Sequence, residues 1–312
     1  SRRRHTRFRN VTGVQTCALP IYYVAIGVRP PPPSIADAVA AAAQADAVVL
    51  VLGSGSATEA EGYDRENLDL PGAQDDLARA VLAANPRTVV VLNTGSPFAM
   101  PWIADAPAVL QLWLPGEAGP DALPAVLFGE RAPGGRLPVT FPRAFGDHPA
   151  HAPGPDPLVC FYGEGLGVGY RWFDANPVRP LFPFGHGLAY TTFEISDLTA
   201  PTSVAVGQAV RIEVEVANTG DRAGQEVVQA YVAALDSTVA RPPKELKAFA
   251  KIALEPGERR RVALDLEPGA FAYWDVEGAR WRVEPGAYDI LVGRSSGDIR
   301  AKATLTITSS EA

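Results

Sequence analysis

Cysteine is scarce. The 312 residues hold only Cys17 and Cys160, too few for a disulfide framework or a cysteine-rich zinc site. Histidine is nearly as rare, and His148, His151 and His186 do not fall at a spacing that sets two imidazoles on one helix face around a metal. No apolar run approaches the roughly 20 residues of a membrane-spanning helix; the longest, near Ala45–Leu52, is short and contains Asp46. Positive charge is in deficit, with a net charge of −7. Arg2, Arg3, Arg4, Arg7 and Arg9 all sit in the first ten residues, so the rest is more acidic still. An acidic body repels phosphate backbones, which argues against nucleic acid as a partner, and the lack of an apolar span argues against a membrane. Also missing are a G-x-G-x-x-G fingerprint, a Walker lysine and a G-x-S-x-G elbow. Gly53-Ser54-Gly55-Ser56 is therefore a poor phosphate loop, and Ser54, Ser56 and Ser96 are poor hydrolase nucleophiles.

What is present falls into four stretches. Residues 1–21, SRRRHTRFRNVTGVQTCALPI, show no helical or strand period, and VTGVQTCALPI resembles translated sequencing-adapter text; this tail is expected to be disordered and without function. Residues 22–145 alternate strand and helix. YYVAIGV reads as a strand stopped by RPPPP, and SIADAVAAAAQA as an alanine-rich helix with Ser34 as its N-cap. AVVLVLG, RTVVVLN and PAVLQLWL read as buried strands, and AQDDLARAVLAAN and EAGPDALPAVLFGE as helices. Apolar, β-branched strands without polar alternation suit a mostly parallel sheet with helices on both faces, an α/β sandwich. Residues 146–192 are rich in Pro, Gly and aromatics, an ordered connector rather than a disordered linker. Residues 193–309 carry short alternating runs (VRIEVEVAN, EVVQAYVAA, RRRVALDL, AKATLTIT) separated by NTGDRAG, EPGE and EPGAY. That pattern predicts an all-β sandwich, and without a Cys-Trp-Cys pattern it is fibronectin type III-like.

Chemistry concentrates in Glu59-Ala60-Glu61-Gly62-Tyr63-Asp64-Arg65, three acids and an arginine in a loop after a buried strand. In open α/β sheets such loops at strand C-termini build the site. A carboxylic acid there can act as a general acid, or the loop can be a solvated surface with Asp64 and Arg65 paired. His186, in FGHG, reads as a structural histidine, Cys160 as a buried structural thiol, and Trp274 and Trp281 as core or interface aromatics.

In order along the chain, EAEGYDRENLDLPGAQ, ANPRTVVVLNTGSPFAMPW, LWLPGEAGPDALPAVLFGERAPGGRLPVTFPR, YGEGLGVGYRWFD and PLFPFGHGLAYTTF resemble family 3 glycoside hydrolases. The resemblance covers nearly everything from Ser34 onward. It implies a β-glucosidase-type enzyme laid out as an (α/β)8 barrel, an α/β sandwich and a fibronectin type III-like domain. The barrel, with its nucleophilic aspartate, has no counterpart in this sequence. The resemblance further implies a retaining reaction on β-glucosides or oligosaccharides without metal or cofactor, with β-xylosidase as a rival specificity and a non-catalytic carbohydrate-binding protein as a rival class. It makes Glu61 the general acid/base, with Glu59 the runner-up, and it implies a secreted or periplasmic enzyme. The expectation for this chain alone is inactivity, because half of the two-carboxylate site is absent.

Overall fold

The computed structural model describes residues 34–55, 58–60, 65–148 and 162–309. The basic tail, the expected strand YYVAIGV, Ser56, Glu61, Asp64, His151 and both cysteines lie outside the described residues.

Helix α1 (Ile35–Gln44) begins where Ser34 and Asp37 close a capping box: the Asp37 amide donates to Ser34 Oγ, and the Ser34 amide donates to the Asp37 carboxylate. Strand β1 (Val48–Gly53), helix α2 (Gln74–Ala84), strand β2 (Thr88–Asn93) and strand β3 (Ala108–Gln111) follow. The three strands form a parallel sheet in the order β1-β2-β3. At the end of α2, Asn85 Nδ2 donates to the carbonyls of Ala42 (2.9 Å) and Ala45 (2.8 Å), tying both helices' C-termini together. The core between sheet and helix is Leu52, Leu82, Val90, Leu92, Phe98 and Trp102, with the indole donating to Asp75.

β2 is covered on both faces, as its uninterrupted apolar run predicts. β1 differs: Val49 and Val51 stand 51% and 57% exposed, while Leu52 on the opposite face is buried. The third expected strand stops at Gln111, because Trp113 adopts φ 60°, a left-handed conformation that ends strand geometry. Helix α3 (Gly119–Leu127) then leads into the connector.

The connector's aromatics have a specific job. A bridge between Phe141 and Phe182 ties it back to the end of the α/β domain, and helix α4 (Tyr170–Ala175) lays Tyr170 against Phe184 and Tyr231, at ring distances of 5.0 and 6.0 Å.

Ten strands complete the chain: β4 (Phe193–Thr199), β5 (Ser203–Ala205), β6 (Val210–Asn218), β7 (Gly224–Ala234), β8 (Glu245–Leu254), β9 (Arg259–Leu266), β10 (Tyr273–Asp275), β11 (Arg280–Arg282), β12 (Gly286–Ser295) and β13 (Asp298–Thr308). They make a five-stranded sheet, β5-β13-β12-β7-β8, facing a three-stranded sheet, β4-β6-β9, with β10 and β11 as a separate hairpin. In β6, Val210, Ile212, Val214 and Val216 are fully buried, while Arg211 and Glu213 between them point to solvent and form ion pairs there, the period of two expected of a strand with one wet face. β7 breaks that alternation and is buried on both faces, since the connector covers its outer side.

Candidate active site

The three parallel strands end together, and the loop after β1 is fastened across those ends. Gln74 brackets the last residue of β1: its Oε1 accepts from the Gly53 amide and its Nε2 donates to the Gly53 carbonyl, both at 2.8 Å. Beyond Gly53 the carboxylate of Glu59 reaches across to the loop after β2. It accepts from the Gly95 amide at 2.8 Å and from the hydroxyls of Ser54 and Ser96. At the far end of the same loop, Arg65 Nη2 donates to the Pro97 carbonyl at 2.9 Å, and its guanidinium lies 4.1 Å over the buried Phe98 ring. The Ala99 amide then donates to the Leu68 carbonyl at 2.7 Å. The two ends of the E-A-E-G-Y-D-R stretch are thus pinned to consecutive residues of one loop, 95–98.

Of the two candidate acids, Glu59 is the one among the described residues. Burial alone would raise the Glu59 carboxyl, but the bonds from Ser54, Ser96 and Gly95, together with the Arg65 charge, hold it below the usual glutamate range. A carboxylate that accepts three donors and stays ionised is a poor proton donor near neutral pH. In this structure Glu59 acts as a fastener between the loop after β1 and the loop after β2. Glu61 lies outside the described residues, two positions beyond that fastener.

The other sequence candidates are dispersed. Ser54 and Ser96 are brought together, though by Glu59 rather than by a histidine. The sequence signal for this clamp is the place of both serines just after two adjacent parallel strands, with an acidic loop following the first. His186 is far along the connector. Its ring stacks on Phe182 at 4.9 Å, and burial, helped by nearby Arg136, pulls its pKa below the ordinary histidine value, so it is a neutral packing group. His148 packs beside Trp172 and Phe173. Among the described residues no cluster of His, Cys, Asp and Glu could hold a metal ion. A cavity of about 420 Å³ lies to one side, between Asn67, Met100, Arg143, Phe145 and Leu181, away from Glu59.

A parallel α/β domain with a clamped acidic loop at its strand C-termini, where open α/β sheets place their sites, is joined through an aromatic connector to a mostly antiparallel β-sandwich. The comparisons narrow this. Residues 6–190 match the model of the glycosyl hydrolase family 3 C-terminal domain, and residues 226–296 match the fibronectin type III-like domain. The chain belongs to glycoside hydrolase family 3. It is 45% identical over 254 residues to thermostable beta-glucosidase B of Acetivibrio thermocellus, covering 80% of this chain and 34% of that protein. A beta-glucosidase of Rhizobium radiobacter is 44% identical over 253 residues, 79% of this chain and 31% of its own length. Among solved structures, the Kluyveromyces marxianus beta-glucosidase in complex with glucose superposes with a TM-score of 0.82 at 43% identity, over 88% of this chain and 32% of that one. DesR, a beta-glucosidase from Streptomyces venezuelae in complex with D-glucose, gives 0.82 at 42%, over 88% and 35%. The chain spans about a third of the length of the relatives it matches.

Proposed function

We propose that this chain is the acid/base-bearing C-terminal portion of a retaining exo-β-glucosidase, with Glu61 as the general acid/base. The observation that carries the reading is the clamp at the strand ends. Glu59 and Arg65 fix the two ends of the loop that holds Glu61, and Glu59 is itself occupied as a hydrogen-bond acceptor. In a retaining glycosidase one carboxylate attacks the anomeric carbon while a second, about 5 Å away, protonates the leaving oxygen and then activates water. Glu61 supplies the second role: it donates its proton to the glycosidic oxygen as that bond breaks, and takes one back from water when the glycosyl intermediate is hydrolysed. The nucleophile is the part this chain does not hold, and a barrel domain contributes it in the reading proposed here.

Two consequences can be measured. The purified chain is expected to give no turnover on an aryl β-glucoside above a buffer control. Joined in frame to a family 3 barrel it should become active, and Glu61→Gln should then lower turnover by at least about a hundredfold, the usual weight of a general acid, with the deficit smallest for the best leaving groups. Activity of the chain by itself, or a Glu61→Gln enzyme of undiminished rate, overturns the reading.

A further inference from the structure

The loop after β2 is braced from three sides. Thr94 is buried, and its hydroxyl donates to the Ser96 carbonyl at 3.0 Å. Gln111, the last residue of β3, donates through Nε2 to that same Thr94 hydroxyl, also at 3.0 Å. Pro97 disfavours helical backbone at Ser96, and Phe98 is buried in the core beneath the Arg65 guanidinium. The Ser96 hydroxyl therefore stands on a support anchored in β3, in the core and in the stereochemistry of the chain.

The loop after β1 leans on that support. Its first turn is closed locally, where the Thr58 and Glu59 amides donate to the Gly55 carbonyl at 2.8 and 2.9 Å. Beyond the turn, the Glu59 carboxylate and the Arg65 guanidinium reach across to Gly95, Ser96 and Pro97 for their partners. Gly95 leaves the room this needs. A β-carbon there would lie 3.2 Å from Glu59 Oε2 and 3.3 Å from Leu114 Cδ1, tighter than ordinary packing. Two residues of chain, at most about 7 Å, separate Glu59 from Glu61, so a shift of Glu59 is passed on with little slack.

We propose that residues 94–98 are the template that sets where the acid/base sits, with Glu59 and Ser96 as positioning residues and Gln111 as the template's anchor in β3. The inference rests on the reading of Glu61 as the acid/base and extends it: the proton donor is placed by the loop of a neighbouring strand. A general acid must come within hydrogen-bond reach of the leaving oxygen, and a misplacement of about 1 Å can cost about a hundredfold in rate.

Two measurements test it. The first uses the 312-residue chain and follows hydrogen–deuterium exchange over residues 60–65 by peptide mass spectrometry. Ser96→Ala and Gln111→Leu should each speed exchange there by about tenfold, the weight of one hydrogen bond, whereas Ser96→Thr, which keeps the hydroxyl, should not. If Ser96→Ala does not fold, Gln111→Leu, further back in the relay, carries the same test. The second is a double-mutant cycle on aryl β-glucosides in the chain joined in frame to a family 3 barrel. Glu59→Ala should lower kcat by about ten- to a hundredfold, most for the poorest leaving groups. In a Glu61→Gln background the same change should cost less than about twofold, because the group it acts through is already gone. Unfolding midpoints taken on every variant exclude loss of the folded state. Unchanged exchange in both Ser96→Ala and Gln111→Leu overturns the proposal. Equal losses from Glu59→Ala in both backgrounds mean a merely structural role and overturn it while leaving Glu61 as the acid/base. A Glu61→Gln enzyme of undiminished rate removes the acid/base reading and the proposal with it, so the two failures are told apart.

Discussion

At the scale of single residues, Glu59 and Gly185 show how strongly this chain uses contacts that carry no chemistry of their own. Glu59→Ala leaves two hydroxyls and the Gly95 amide short of an acceptor. It should lower the unfolding free energy by about 1–2 kcal/mol, the scale of charged hydrogen bonds at a partly exposed site, as read by urea denaturation. Since the native carboxyl is held below its ordinary value, this contribution is present above the unfolded pKa of 4.5 and fades as pH falls through the lower native value. Gly185 has φ 84°, and a β-carbon there would sit 2.5 Å from Gln229 Oε1. Gly185→Ala is expected to destabilise by more than 2 kcal/mol, through both strain and collision with the side chain that ties β7 to the Arg294 carbonyl, at about the upper end for ordinary point mutations. His186, neighbour to that glycine, sets a pH trend. Its native pKa lies below 6.5, so the native state binds fewer protons than the unfolded chain. Stability is therefore full above 6.5 and declines as pH falls toward the native value, and His186→Gln should flatten that slope in urea midpoints taken across the range.

At the scale of elements, much was legible. The alternation in β6 and the continuous apolar run of β2 gave their burial directly, and Ser34 marked the start of α1 to the residue. What escaped reading was whatever depends on a partner distant in sequence. Val49 and Val51 look identical to the buried valines of β2, and only the packing reveals one uncovered face. Trp274 and Trp281 read as core or interface aromatics, and their exposure on the β10–β11 hairpin takes them out of the core. The loop holding Glu61 is picked out by its acids, whereas its fastening to Ser54, Gly95 and Ser96 is signalled only by the place of those residues just after two adjacent parallel strands. The segment just before the connector offers the sharpest element-scale test. Arg136 forms an ion pair with Glu226, whose side chain is 1% exposed. Arg136→Met should cost about 3–5 kcal/mol by stranding a buried carboxylate, while the double change Arg136→Met with Glu226→Leu should recover most of the loss. Thermal or urea unfolding of the three proteins decides it.

At the scale of the whole molecule, Gly134, Gly185 and Gly187 mark places where the chain packs too closely for a β-carbon. A β-carbon on Gly187 would lie 2.5 Å from the Gly135 carbonyl, and one on Gly134 would lie 2.7 Å from Gln225 Oε1. APGGRLPV and PFGHGLAY are thus two halves of one seam pressed onto β7. Arg171 with Glu245, Lys244 with Asp174, and the Leu246 amide donating to Tyr170 Oη extend that seam along β8. For protein engineers this relocates the natural crossover point for chimeras. Cutting between relatives at Phe193, where the strand pattern of the sandwich begins, would pair a sandwich from one parent with a seam from another and put the Gly134–Gln225, Arg171–Glu245, Asp174–Lys244 and Tyr170–Leu246 contacts across the join. A graft that takes its donor sequence from about Arg131 onward keeps the seam and the sheet it fits as a single inherited part.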